Sequence, residues 1–223
     1  TSIIRDNITA DSMSFATGVV LTSTDTIVLQ TGEGAGDDVT FGAGLTETNN
    51  PGLTIDAGAA GDITFTGAVD LGTGGLIITD AAVVEVSNTF AANSFLQSDG
   101  TNTTTFDNNT DIVTSFAFTG QVLTMSGASN DMDTSMTVTN AGVFTTGEAA
   151  VLDVGTDFIQ NGAGTNVIGD NIIADSMSFL RAVVLTSTDT IVLQTGEGTD
   201  DDVTFSAGLT ETNNPGLTID AGA

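Results

Sequence analysis

Apolar and polar residues alternate along this chain in short runs. Early runs are Val19-Val20-Leu21-Thr22, Thr26-Ile27-Val28-Leu29, Asp38-Val39-Thr40-Phe41 and Gly52-Leu53-Thr54-Ile55. Further on come Asp62-Ile63-Thr64-Phe65, Leu76-Ile77-Ile78-Thr79, Val83-Val84-Glu85-Val86 and Gln121-Val122-Leu123-Thr124-Met125. A period of two is that of a strand with one side in a core and the other in water. Gly, Asn, Asp, Ser and Thr separate the runs, and these residues favour turns. No stretch keeps a 3.6-residue period. The nearest helix candidate, TFAANSFLQS at 89–98, reads better as a strand.

Two short signals recur. D-[VI]-T-F stands at 38–41, 62–65 and 202–205, and G-L-T-[ET] or G-L-[TI]-I stands at 44–47, 52–55, 75–78, 208–211 and 216–219. The interval from Asp38 to Asp62 nearly equals that from Gly52 to Gly75. The spacing predicts a solenoid with coils of roughly 20–25 residues. The expected fold is all-β, a right-handed parallel β-helix, with each strand paired to the next coil about 4.8 Å away. Inward Val, Ile, Leu and Phe would stack into a continuous core, with outward Thr, Asp and Asn in water. The alternative is a string of immunoglobulin-like sandwiches. The chain has no Trp and few hairpin signals, which disfavours them.

A longer repeat overlies the short one. Residues 6–59 recur at 170–223, offset by 164, with only positions 9, 16, 17, 18, 35, 36 and 42 differing among 54. With coils of that length, such a unit holds seven or eight of them. The chain opens without Met, and its second block ends at Ala223. Residues 1–223 therefore read as one continuous solenoid segment of a longer array, and arrays of this kind are structural or adhesive.

Charge narrows the partners. There are 29 acidic residues against two basic ones, Arg5 and Arg181, for a net charge of −27. Nucleic-acid binding needs a basic footprint, which is missing. A bare anionic membrane is disfavoured for the same reason. No apolar run approaches the ~20 residues of a transmembrane helix. With 39% apolar residues the chain is expected to be ordered despite its charge. The absence of Cys excludes disulfides and thiolate metal sites.

Several segments resemble a known group. GDITFTGAVD (61–70), NPGLTIDAGA (50–59), VTNAGVFTTGEAA (138–150) and DFIQNGAGTNVIGDNI (157–172) are similar to repeats of filamentous-haemagglutinin-like bacterial surface β-solenoids, including β-strand-repeat proteins. The resemblance implies a right-handed β-helix, secretion to the cell surface, and adhesion or filament formation. It carries over no catalytic residues.

Candidate chemistry is sparse. Without His, Cys or Lys, neither a proton shuttle nor a thiol or amine nucleophile is available. Paired carboxylates, as in polysaccharide cleavage, are what remains. The acidic turns are the candidate metal sites. Glu33-Gly34-Ala35-Gly36-Asp37-Asp38 becomes Glu197-Gly198-Thr199-Asp200-Asp201-Asp202 in the second block. Asp37, Asp38, Asp200, Asp201 and Asp202 are the residues singled out, with calcium as the expected ion because it takes six to eight oxygen ligands. None matches a calcium-loop motif, and the competing reading is of solvated turns that favour Asp. Asp107-Asn108-Asn109-Thr110-Asp111 and Asn130-Asp131-Met132-Asp133 are similar clusters.

The 12 Phe are expected to form a core stack rather than a sugar platform. Thr-x-Thr at 22–24, 24–26, 46–48, 103–105 and 137–139 reads as outward ladder positions, too irregular for an ice-binding array. N-x-[ST] occurs at Asn7, Asn102 and Asn108, and Ile173 breaks the pattern at the copy of Asn7, Asn171. Together these readings predict a non-catalytic extracellular structural β-solenoid: a filament, sheath or matrix component that associates with itself or with neighbouring repeats. The alternative is the stalk or binding region of an adhesin for cell-surface glycans or other cells. Ice binding and a polysaccharide-active enzyme are the remoter readings.

Overall fold

A computed structural model describes residues 1–198 and 201–222. They form 27 strands and no helix, wound into a parallel β-solenoid of about nine turns with about 21 residues per turn. Each coil contributes one strand segment to each of three faces. The first coil runs Ser2–Ile4, Ile8–Thr9 and Met13–Phe15, and these open the first, second and third faces. Every pairing is parallel and links a strand to its counterpart one coil on. The rest of the coil serves as the crossover that parallel strands require.

The short signals mark successive coils. Val39 lies in register with Ile63, and Phe41 with Phe65, joining the first two D-[VI]-T-F copies. Leu53 lies in register with Leu76, joining the G-L copies at 52–55 and 75–78. Coil length nevertheless varies. The coil that brings Met13 to Val39 is markedly longer than the one that brings Asn166 to Val183. The expected strands are present to within a residue, from Val19–Leu21 and Ile27–Gln30 to Val122–Met125. The segment that resembled a helix is the strand Phe90–Gln97.

That strand, with Thr110–Gly120, Val151–Gln160 and Ile172–Phe179, turns a corner and serves both the first and second faces. The bend falls where the register shifts, between Ala92 and Ser94 and between Val154 and Asp157. Such irregularities bend strands locally.

Alternation puts one side of every strand inside. Ten of the 12 Phe are buried, and Phe15 and Phe205 pack against the same core. Parallel register stacks like on like. The Phe15 and Phe41 rings, and the Phe41 and Phe65 rings, have centroids 5.1 Å apart, the second pair only 6° from parallel. Offset-stacked rings add to what burial alone contributes.

The long repeat does not close on a whole number of turns. Ile8 pairs with Leu29 on the second face, whereas its copy Ile172 pairs with Leu152 and Leu193 on the first. Met13–Phe15 lies on the third face, its copy 177–179 on the second. Val19–Leu21 lies on the first face, its copy Val183–Leu185 on the third. With each corner-turning strand counted once per face, 23 strand positions separate the two blocks, three to a turn. The unit therefore spans seven and two-thirds turns, and nearly identical sequence sits a third of a turn round. Local structure is unaffected: Asn49 and Asn50 take φ of 75° and 58°, Asn213 and Asn214 68° and 57°. Asn tolerates this left-handed region better than most residues.

Candidate functional site

The acidic turns fold back on the backbone. Asp37 Oδ2 accepts the Gly34 N–H at 2.7 Å, and Asp201 Oδ2 accepts the Gly198 N–H in the second block. Asp38 Oδ1 accepts the Asp62 N–H at 2.9 Å, tying one coil to the next. The Asp202 carbonyl accepts the Met177 N–H. Asp200 lies outside the described residues. Turn closure and coil linkage thus occupy an oxygen of three of these side chains. Among the described residues, no group of three or more acidic side chains converges to hold a metal ion.

The fold brings two other acidic clusters together. Asp111 and Asp131 lie side by side on the first face, and Asp153 follows Asp131 in the same outward column. Asp70 belongs to that column, separated from Asp111 by Ala91. Asp153 escaped the sequence reading because it sits mid-strand rather than in an acidic turn. Burial first, then the charges of Asp133, Asp153 and Asp111, hold the Asp131 carboxyl above its ordinary pKa. Asp80, at a corner, is raised by burial and by Asp99, against a lowering bond from the Ala81 N–H, with smaller contributions from Asp56 and Glu33. An open groove of about 350 Å³ runs past Ala91, Asn109, Asp111 and Asp131.

The other faces differ. The third face carries an outward column of Thr40, Thr64, Glu85, Thr105, Thr124 and Thr145 in register. The second face carries Leu96, Ala117, Thr137 and Ile159 in one outward column, flanked by Ser94, Ser115 and Ser135. Thr139 Oγ1 donates to Asn161 Oδ1 at 2.6 Å on its other flank.

The asparagine common to both blocks has a structural task. Asn7 Oδ1 accepts the Val28 N–H at 2.8 Å, and Asn171 Oδ1 accepts the Val192 N–H at 2.7 Å. This bond explains why Asn stands in both places although the glycosylation pattern survives in one.

Inside lies a polar cluster that alternation could have revealed. Asn140 and Gln160 each follow a buried apolar residue by two, at Val138 and Phe158, so parity points them inward. Gln160 Nε2 donates to Asn140 Oδ1 at 2.8 Å and to the Gly162 carbonyl at 3.2 Å. Its Oε1 accepts Asn166 Nδ2 at 3.2 Å and the Arg181 N–H at 3.3 Å. The first face is less complete: Thr110 Oγ1 and Asn130 Oδ1, on adjacent rungs, are buried without partners.

Fold and surfaces together define a parallel β-solenoid of about nine turns with three chemically distinct faces. Compared with protein-family models, curated proteins and solved structures, the chain finds no match.

Proposed function

We propose that the chain is a length of an extracellular structural rod, serving a cell-surface filament, sheath or matrix component without catalysis. The observation that carries this reading is the continuity of the three ladders, in which each coil pairs with the next from Ser2 to Asp220. Such pairing stiffens the axis, and the ring stacks hold it from within. The near-identical blocks at 6–59 and 170–223 suit a length-setting element, where repetition adds reach rather than chemistry. The likeness to filamentous-haemagglutinin-like surface solenoids supports the extracellular location, and the acidic surface suits a soluble rod.

Electron microscopy and diffraction of aligned specimens test the reading. A rod with an axial repeat of about 4.8 Å is expected. Beads on a string with no such repeat would refute it.

A further inference from the structure

We infer that the second face is a lateral docking surface for a second copy of the chain. The inference rests on the structural-rod reading and adds which face meets which partner.

Charge distribution excludes the first face and leaves this one open. In a chain of net charge −27, the second-face segments of the strands between Gly75 and Phe179 carry one outward carboxylate among the described residues, Asp157, with Asp175 exposed at the corner beside Ser176. The Asp157 carboxylate accepts the Ser176 hydroxyl at 2.6 Å within the same face. On the same coils the first face presents Asp111, Asp131 and Asp153 in one column. Two rods of like charge repel wherever acidic surfaces meet, and that repulsion weakens only over a Debye length of about 8 Å at physiological salt. The second and third faces, the latter with Glu85 alone on those coils, are where close approach opposes few charges, and exposed apolar side chains distinguish the second.

The same face carries exposed apolar surface. Ile77 and Leu96, neighbours in one outward column, are 37% and 39% exposed. The column runs Ile77, Leu96, Ala117, Thr137, Ile159, Ser178. Read backwards about the midpoint between Ala117 and Thr137, its four central rungs match themselves, while Ile77 falls opposite Ser178. Leu96 meets Ile159, and Ala117 meets Thr137. An antiparallel two-fold contact therefore sets Leu96 against Ile159 on either side of a centre of small residues, the self-complementarity an isologous interface needs. Flanking Ser and Thr supply a polar rim.

Area sets the strength. Six rungs about 4.8 Å apart, each presenting three outward residues, cover roughly 500 Å² per copy. The total of about 1,000 Å² lies at the lower limit for a specific interface. One pair of chains should associate weakly, and a long array strongly through many linked contacts.

The test is sedimentation equilibrium of the full chain across salt concentrations, with circular dichroism to confirm folding. The weight-average mass is expected to rise towards twice that of the monomer as salt increases from about 0.01 to 1 M, where screening shortens from about 30 to 3 Å. Ala117→Asp should weaken association at least tenfold at every salt concentration, while Thr124→Asp on the third face should not. Because the chain has no Cys, a mixture of Leu96→Cys and Ile159→Cys copies should yield a disulfide-linked dimer, and Leu96→Cys mixed with Ser14→Cys should not.

A chain that stays monomeric throughout, or association indifferent to Ala117→Asp, overturns the proposal. So does a monomer whose second face instead binds crystalline cellulose or chitin, or depresses the freezing point, in a manner abolished by Ala117→Asp. An axial repeat of about 4.8 Å in a chain that fails these tests leaves the rod reading standing and removes only the lateral contact.

Discussion

Ser14 and Ser178 occupy the same place in two nearly identical blocks, yet they lie on different faces. Ser14 pairs with Thr40 on the third face; Ser178 pairs with Ile159 and Thr204 on the second. Each keeps its own block's partner, since Thr40 and Thr204 are themselves equivalent. What changes is the face on which that pair lies.

This displacement is open to direct cross-linking. In-register Cα atoms of neighbouring parallel strands lie close enough for a disulfide. Ile159→Cys with Ser178→Cys should oxidise readily within one chain. Val167→Cys with Ser178→Cys should not, although Ser178 would sit in the column of Val167 if the unit spanned whole turns. Non-reducing electrophoresis after mild oxidation reads the difference, and cross-linking of the second pair alone would show whole-turn closure.

The ring stack gives the second prediction. Phe41 is buried between Phe15 and Phe65. Phe41→Ala should cost about 3–5 kcal/mol, the range for deleting a buried aromatic ring. The loss should appear as a lower denaturation midpoint. Phe205→Ala, at the equivalent but only half-buried place, should cost less.

Buried polar groups should respond in opposite directions. Thr110 Oγ1 has no partner, and leaving a buried hydroxyl unpaired costs about 1–3 kcal/mol. Thr110→Val keeps the shape and removes that cost, so the midpoint should rise. Gln160 has partners on both ends of its amide, and Gln160→Leu leaves Asn140 and Asn166 short of them. Its midpoint should fall by at least the roughly 1–3 kcal/mol of one unpaired buried group.

Acidity provides the fourth test. The Asp131 carboxyl stands above its ordinary pKa because of burial and the nearby Asp133, Asp153 and Asp111. Between the unfolded-state value, about 3.9, and the raised folded-state value, the folded chain binds more protons than the unfolded chain. Stability then falls as pH rises through that window, and the full penalty persists above it. Asp131→Asn should therefore have the higher Tm at pH 7, with the advantage shrinking as pH falls towards about 3.9. A constant advantage across that range would mean the substitution acts through something other than charge.

Much of the fold is written locally. Alternation alone marks Val39–Phe41 and Ile63–Phe65 as strands, and their spacing makes them neighbours. Parity also assigns Phe41 to the core and Thr40 to water, because successive strand residues point to opposite sides. The acidic turns were legible as turns. Their carboxylates' ties to Gly34, Gly198 and Asp62 were not, since these depend on where the neighbouring backbone comes to rest.

Tertiary structure alone decided which face each strand occupies. Coils range from the long one between Met13 and Val39 to the short one between Asn166 and Val183, so a face is set by every preceding coil together. No local window holds that sum. For the same reason Asp111, Asp131 and Asp153 are scattered in the chain and adjacent on the first face, while Leu96, Ala117, Thr137 and Ile159 form one column on the second. Sequence by itself determined strands, parity and coil; winding determined which side chains share a surface, because lateral neighbours in a solenoid come from different coils.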